Sequence, residues 1–274
     1  MSLTVAHRAP VSWRFIYTLV YGFFLFMPIL LIPLFSVHDS LYISFPYKGV
    51  TWDWYRALPD DPALLGALMT SLRIAGITAL LATVIATGTA RHLAVRTRKS
   101  QRILNGIYMS PLLVPEIFIG MGLTMVFAPI GLSSWTVILG HLVITLPFAV
   151  TIMYARFVSL DPQLEEASFD LGVGYLATYW RVLLPLIAPS ALACFLITFT
   201  LSFDEFIVSF FLASNEPTLP VYIYSQLRFP QKLPYVLALS SLILVGTLMI
   251  LAFVQWLSYR SVTAKDGKHM SKTQ

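Results

Sequence analysis

Residues Asp161 to Pro185 read DPQLEEASFDLGVGYLATYWRVLLP, a polar stretch held between two long apolar segments. Asp161 suits an N-cap and Pro162 a first helical position, while Glu165 and Glu166 fall near the positive end of the helix dipole. A short helix is therefore predicted there. Gly172 and Gly174 can end it in a left-handed turn, after which Tyr175 to Leu184 forms a second amphipathic piece closed by Pro185. The stretch reads as a helix-turn-helix elbow held out of a membrane.

The flanking composition sets that context. Of 274 residues, 57% are apolar and only 11% are charged, which marks an integral membrane protein. The formal charge of +5 does not point to nucleic acid, because the basic residues flank apolar segments and form no groove interleaved with aromatics. A single cysteine, Cys194, excludes an intrachain disulfide and offers no metal cluster.

A bilayer core needs about 20 apolar residues per helix, and six stretches qualify: roughly 13 to 37, 64 to 90, 103 to 127, 134 to 157, 189 to 213 and 235 to 259. The fold class is thus all-α, one transmembrane domain over residues 1 to 274 with a connecting loop at 158 to 188. The first segment is too long for a signal-peptide core and is expected to stay as an anchor, with His7, Arg8 and Arg14 holding its start in the cytoplasm. That topology puts most basic residues inside: Arg91, Arg96, Arg98, Lys99, Arg102, Arg156, Arg181, Arg260, Lys265, Lys268 and Lys272 join Arg8 and Arg14. Both termini are then cytoplasmic, and Lys48, Arg56, Arg228 and Lys232 lie outside.

Individual segments carry further expectations. In the external TWDWYRAL, Trp52, Trp54 and Tyr55 suit the headgroup level or a contact for an external protein. Gly76, Ala79, Ala82, Ala86 and Gly88 in the second segment would allow close helix packing, and the basic loop after it suits anionic lipid. In PLLVPEIFIG, Pro111 and Pro115 predict a break just before Glu116. His141, alone on an apolar helix, reads first as a satisfied interhelical bond and second as a pathway residue; Pro147 predicts a kink.

The fifth segment contains TLSFDEFIVSFF, with Asp204 and Glu205 in an apolar helix. An acid at a bilayer centre costs about 2.5 to 3.5 kcal/mol, which the surrounding aliphatic and phenyl residues, at about −0.3 to −0.6 each, only roughly offset for two. The acids must then face a bundle interior or water. Counted along straight helices, Glu116 and Asp204 lie about 20 and 22 Å in, so all three acids are expected to line one cavity. Being adjacent, Asp204 and Glu205 would point about 100° apart, with no choice between them. Residues 214 to 234 suggest a re-entrant or interfacial helix, and the tail from Arg260 is expected to be disordered.

The chain has no G-x-x-x-x-G-K-[ST] loop and no H-E-x-x-H, and its interruptions are too short for an ATPase domain. Glu166-Ala167-Ser168, then Gly172, then Val182-Leu183-Leu184-Pro185 resemble the EAA loop of bacterial ABC-importer permeases, with Ser168 in place of a common second alanine. The PLLVPEIFIG and TLSFDEFIVSFF stretches are similar to the spermidine/putrescine branch of that family, its C-type subunit above all.

The resemblance implies a type I importer permease in a bacterial inner membrane, itself not an enzyme. It implies an elbow that docks on an ATP-binding subunit through Glu165, Glu166, Ala167, Ser168, Gly172, Leu184 and Pro185. It implies a polyamine path past Glu116, Asp204, Glu205, Phe203 and Phe206, where carboxylates and aromatic faces replace part of a cation's hydration. Implied partners are a second homologous permease, two ATP-binding subunits that carry the ATP and magnesium, an external binding protein and lipid. Another solute, such as ferric iron, thiamine, an opine or an oxyanion, and an ion-coupled secondary transporter are the competing readings; an oxyanion would call for intramembrane Arg or Lys. Capping of broken helices, or pairing with Arg73, is the structural alternative for the three acids.

Overall fold

The computed structural model describes residues 13–42, 45–213 and 215–270. His7, Arg8 and Lys272, and the side chains of Arg14, Arg98, Arg260, Lys265 and Lys268, lie outside the described residues. Its Cα packing separates into two compact units, residues 1–60 with 226–244, and residues 61–225 with 245–274.

In the first unit, α1 (Trp13–Ser36) is apolar on every side and buries none of its membrane-length window. Such a helix needs lipid or another subunit around it. The chain then knots on itself: Ser36 Oγ meets Tyr55 Oη at 2.6 Å, and Trp54 Nε1 donates to the His38 carbonyl at 3.0 Å from the single turn α2 (Asp53–Ala57). Of the three expected headgroup aromatics, Trp52 alone is more than half exposed.

The second unit is organised on α3 (Pro62–Ala94). Asp61 accepts from the Ala63 and Leu64 amides at 2.9 and 3.1 Å, and Pro62 follows in the first turn. Ala75, Ala79, Ala82, Ala86 and Ala90 form one fully buried stripe, which lets α6 (Ser134–Val158) and α9 (Leu184–Phe203) approach closely. Lipid removes the hydrophobic drive between helices, so such backbone proximity and side-chain packing hold the bundle. Gly76 and Gly88 take no part: a β-carbon on either would meet nothing within 4 Å. The tight glycines are Gly120, against Phe211, and Gly140, against Val208 and Leu212.

The third expected segment is broken. α4 (Arg98–Met109) passes through a 3-10 turn at Ser110–Leu113 and turns 94° into α5 (Glu116–Phe127). Pro111 and Pro115 lack the donors that a continuous helix needs, and Val114, held extended before Pro115, makes the corner. Among the described residues five helices are long and apolar enough to cross a membrane, and this bent pair is a sixth if it counts as one span. The straight-helix depth of Glu116 therefore does not hold.

After α6 come the elbow helix α7 (Gln163–Asp170), the turn α8 (Tyr175–Thr178) and α9, then α10 (Ile207–Leu212), α11 (Leu219–Gln226) and α12 (Leu233–Met270). Helix α12 runs on past Arg260 to Met270, where a disordered tail was expected.

Candidate functional site

The elbow is built by local chemistry. Asp161 Oδ1 accepts the Gln163 amide at 3.0 Å, so it caps α7 as its sequence position demands. At the other end Gly172 takes φ +76°, the Val173 amide reaches the Ser168 carbonyl at 3.1 Å and the Gly172 amide reaches Phe169 at 2.8 Å. This is a Schellman stop, and only a residue without a β-carbon enters it freely. Gly174 has an ordinary φ of −67° and only precedes α8.

Pro185 does not close the second piece. The backbone widens into a π-turn at Tyr179–Leu183 and continues through Pro185 as one helix, Tyr175–Phe203. A π-turn just ahead of a proline relieves the clash between its ring and the carbonyl four residues back.

The two glutamates of the elbow part company. Glu166 is exposed, whereas Glu165 turns inward and accepts from Arg91 Nη2 near the end of α3. Ser168 is also inward, its Oγ 2.9 Å from Thr178 Oγ1, both side chains buried. Leu184 is partly buried, and Ala167 and Pro185 are exposed. The outer surface is apolar: Leu171, Tyr175, Leu176 and Trp180 each expose more than half of their area. These four were not singled out from sequence, although apolar residues in a polar connector were the available signal.

A second site forms where α9 stops at Phe203 and α10 begins at Ile207. Asp204 and Glu205 are not inside a helix, as sequence led one to expect, but in the break between two. Glu205 is buried and its Oε1 accepts the Val208 amide at 2.9 Å, capping α10. Asp204 is exposed. Fully buried His141 fixes the break from the side, Nδ1 2.7 Å from Ser202 Oγ before it and Nε2 2.9 Å from Ser209 Oγ after it. One ring nitrogen donates and the other accepts.

α10 rests on α5, where Thr124 Oγ1 donates to the Phe211 carbonyl at 3.1 Å. Glu116 is exposed in the first turn of α5, the helix that packs on α10. Two packed helices from different segments thus each start at a break marked by an acid, Glu116 for α5 and Glu205 for α10. Phe203 ends a stacked stripe with Phe195 and Phe199, while Phe206 packs on Tyr224 and Phe210 at 5.0 and 5.6 Å, so the two phenyl rings do not form one cage. Arg73 pairs with Glu216 at 2.7 Å rather than with these acids.

Residues 80–262 match the family described as the binding-protein-dependent transport system inner membrane component. The chain belongs to this family.

The permease is 30% identical over 253 residues to the spermidine/putrescine transport system permease protein PotC of Escherichia coli (strain K12), covering 91% of this chain and 95% of that one. It is 29% identical over 260 residues to the putrescine transport system permease protein PotI of the same strain, covering 91% and 90%. Among solved structures, a bacterial ABC transporter involved in the import of the acidic polysaccharide alginate matches with a TM-score of 0.67 at 15% identity, over 92% of this chain and 94% of that one. An amino acid ABC transporter crystallised with histidines matches with a TM-score of 0.53 at 14% identity, over 77% and 100%. At these identities the structures share the fold alone. The permease is therefore a multi-pass inner-membrane subunit of an ABC importer, with the all-α fold expected of that class.

Proposed function

We propose that this permease carries polyamines of the spermidine and putrescine type into the cytoplasm by alternating access. The observation that carries the reading is that α5 and α10 pack on each other and each begins at a helix break, one at Glu116 and the other just after Asp204 and Glu205, with Glu116 and Asp204 exposed. A polyamine is a flexible multiple cation, and carboxylates at a helix break can replace part of its hydration without holding it tightly. An acidic cargo would meet repulsion there, and the likeness to the alginate importer extends to the fold alone. The names of the relatives PotC and PotI support the same cargo class.

Energy comes from two partner subunits that hold ATP and magnesium; a second homologous permease completes the path and an external binding protein delivers cargo. The exposed elbow face, Glu166 with Leu171, Tyr175, Leu176 and Trp180, is the docking surface for one ATP-binding subunit. The basic loops set both termini and the elbow in the cytoplasm. Glu205 serves the path indirectly, by capping α10, while Asp204 and Glu116 meet the cargo.

The test is to purify the assembled transporter with its binding protein and measure which solute stimulates ATP hydrolysis. Stimulation by spermidine or putrescine is expected. Stimulation by ferric iron, thiamine or an opine instead would overturn the cargo, and uptake by this chain alone on an ion gradient would overturn the engine.

A further inference from the structure

The interior of the second unit holds an ionic joint that the docking surface leaves unused. Arg91 and Glu165 expose only 20% and 17% of their side chains, and they join the elbow helix α7 to the last turn of α3. The pair faces a cavity of about 500 Å³ lined also by Gln101, Tyr154, Phe157 and Phe169. Gln101 Nε2 donates to the Leu93 and Arg96 carbonyls at 3.1 and 3.0 Å, which fastens the end of α3 next to the joint.

The opposite part of α3 carries a second joint. Arg73 Nη2 donates to Glu216 Oε2 at 2.7 Å and to Ser134 Oγ at 3.1 Å, and Glu216 lies in the segment that follows α10. From Arg73 to Arg91 is five helical turns, roughly 27 Å, so both arginines leave the helix on the same face. Over the same length the fully buried alanine stripe occupies the other side of α3, where close packing leaves the helix little freedom to bend.

We propose that α3 is a transmission rod: the Arg91–Glu165 joint passes displacement of the elbow to α3, and the Arg73–Glu216 joint passes it to the segment that follows α10, the helix whose other end opens at the acid break. The two joints differ as such a device requires. The elbow joint is mostly buried and stays engaged, while the far joint is half exposed, with 53% and 59% of its side chains open, and an exposed ion pair holds weakly and releases easily. Glu165 is then a positioning residue within the chain, distinct from the docking residue Glu166. The inference rests on the elbow being the engine's handle, as proposed above.

The test reads motion at the far end without reference to cargo. In the assembled transporter carrying Cys194→Ala, a cysteine at exposed Asn215 reports maleimide labelling with and without ATP-vanadate trapping. Trapping is expected to change the labelling rate by at least about threefold, the mark of a shifted two-state population. Arg91→Glu, Glu165→Arg and Arg73→Gln each abolish that change, and Arg91→Glu with Glu165→Arg together restore most of it. Should a charge reversal prevent assembly, the size-conserving Arg91→Gln and Glu165→Gln are expected to lose the change as well. A full change in Arg91→Glu or Arg91→Gln, no change in the parent, or an assembled double reversal without recovery would each overturn the rod. A full change in Glu166→Lys would instead overturn the elbow as handle, which separates the two failures.

Discussion

Two pairs of adjacent carboxylates stand at two of the interruptions of this chain, the elbow and the acid break, and each pair is divided the same way. At the elbow Glu165 turns in to Arg91 and Glu166 faces out; at the acid break Glu205 turns in to the Val208 amide and Asp204 faces out. The inward members have a partner of fixed position and hold a helix in place. The outward members are open to something outside the second unit. Doubling an acid therefore supplies one residue for the frame and one for the work, and the partners differ because the elbow meets a guanidinium while the break exposes a helix N-terminus.

The strongest challenge to that division is charge reversal of an outward residue. Glu166→Lys is expected to reduce uptake and cargo-stimulated ATP hydrolysis at least about a hundredfold, some 2.7 kcal/mol of coupling, with membrane insertion unchanged. Wild-type uptake in that variant would leave the elbow without its role. Next comes the seat of α10. A β-carbon on Gly140 would lie 2.6 Å from both Leu212 and Val208, so Gly140→Ala is expected to cost about 1 to 3 kcal/mol, read as a lower melting temperature of the detergent-purified complex.

The acid break offers a finer comparison. Asp204→Asn is expected to lower polyamine uptake about tenfold, whereas Glu205→Gln, whose amide oxygen still accepts the Val208 N–H, stays within about twofold. Equal losses in the two would erase the distinction between path and cap. The smallest effect is at Ser168. Replacing it with Ala removes its bond to Thr178 and leaves that hydroxyl buried, a loss of about 1 kcal/mol in stability with uptake unchanged.

The elbow was legible in the sequence because its determinants are local. Asp161 caps, Gly172 stops and two acids open the helix within one short stretch, and each acts on its own backbone. The corner at Val114 was legible for the same reason, since proline acts on its immediate neighbours. Pro185 misled, because a π-turn absorbed its effect and let the helix continue. Gly76 and Gly88 misled as well: a glycine permits close approach, but whether a neighbour arrives depends on which face of α3 meets α6, and the alanines hold that face.

The sequence by itself determined that the chain lies in a membrane, that its third span bends at Pro111 and Pro115, and that a polar elbow interrupts the spans, because length, hydropathy and backbone stops are properties of short stretches. Tertiary structure alone decided that TLSFDEF breaks at Asp204, since the break is held by His141 from another helix and the α10 that follows it is seated against Gly120 and Gly140. It alone also decided which acid of each pair is spent on the frame, because an acid turns inward only where a distant segment delivers a partner to meet it.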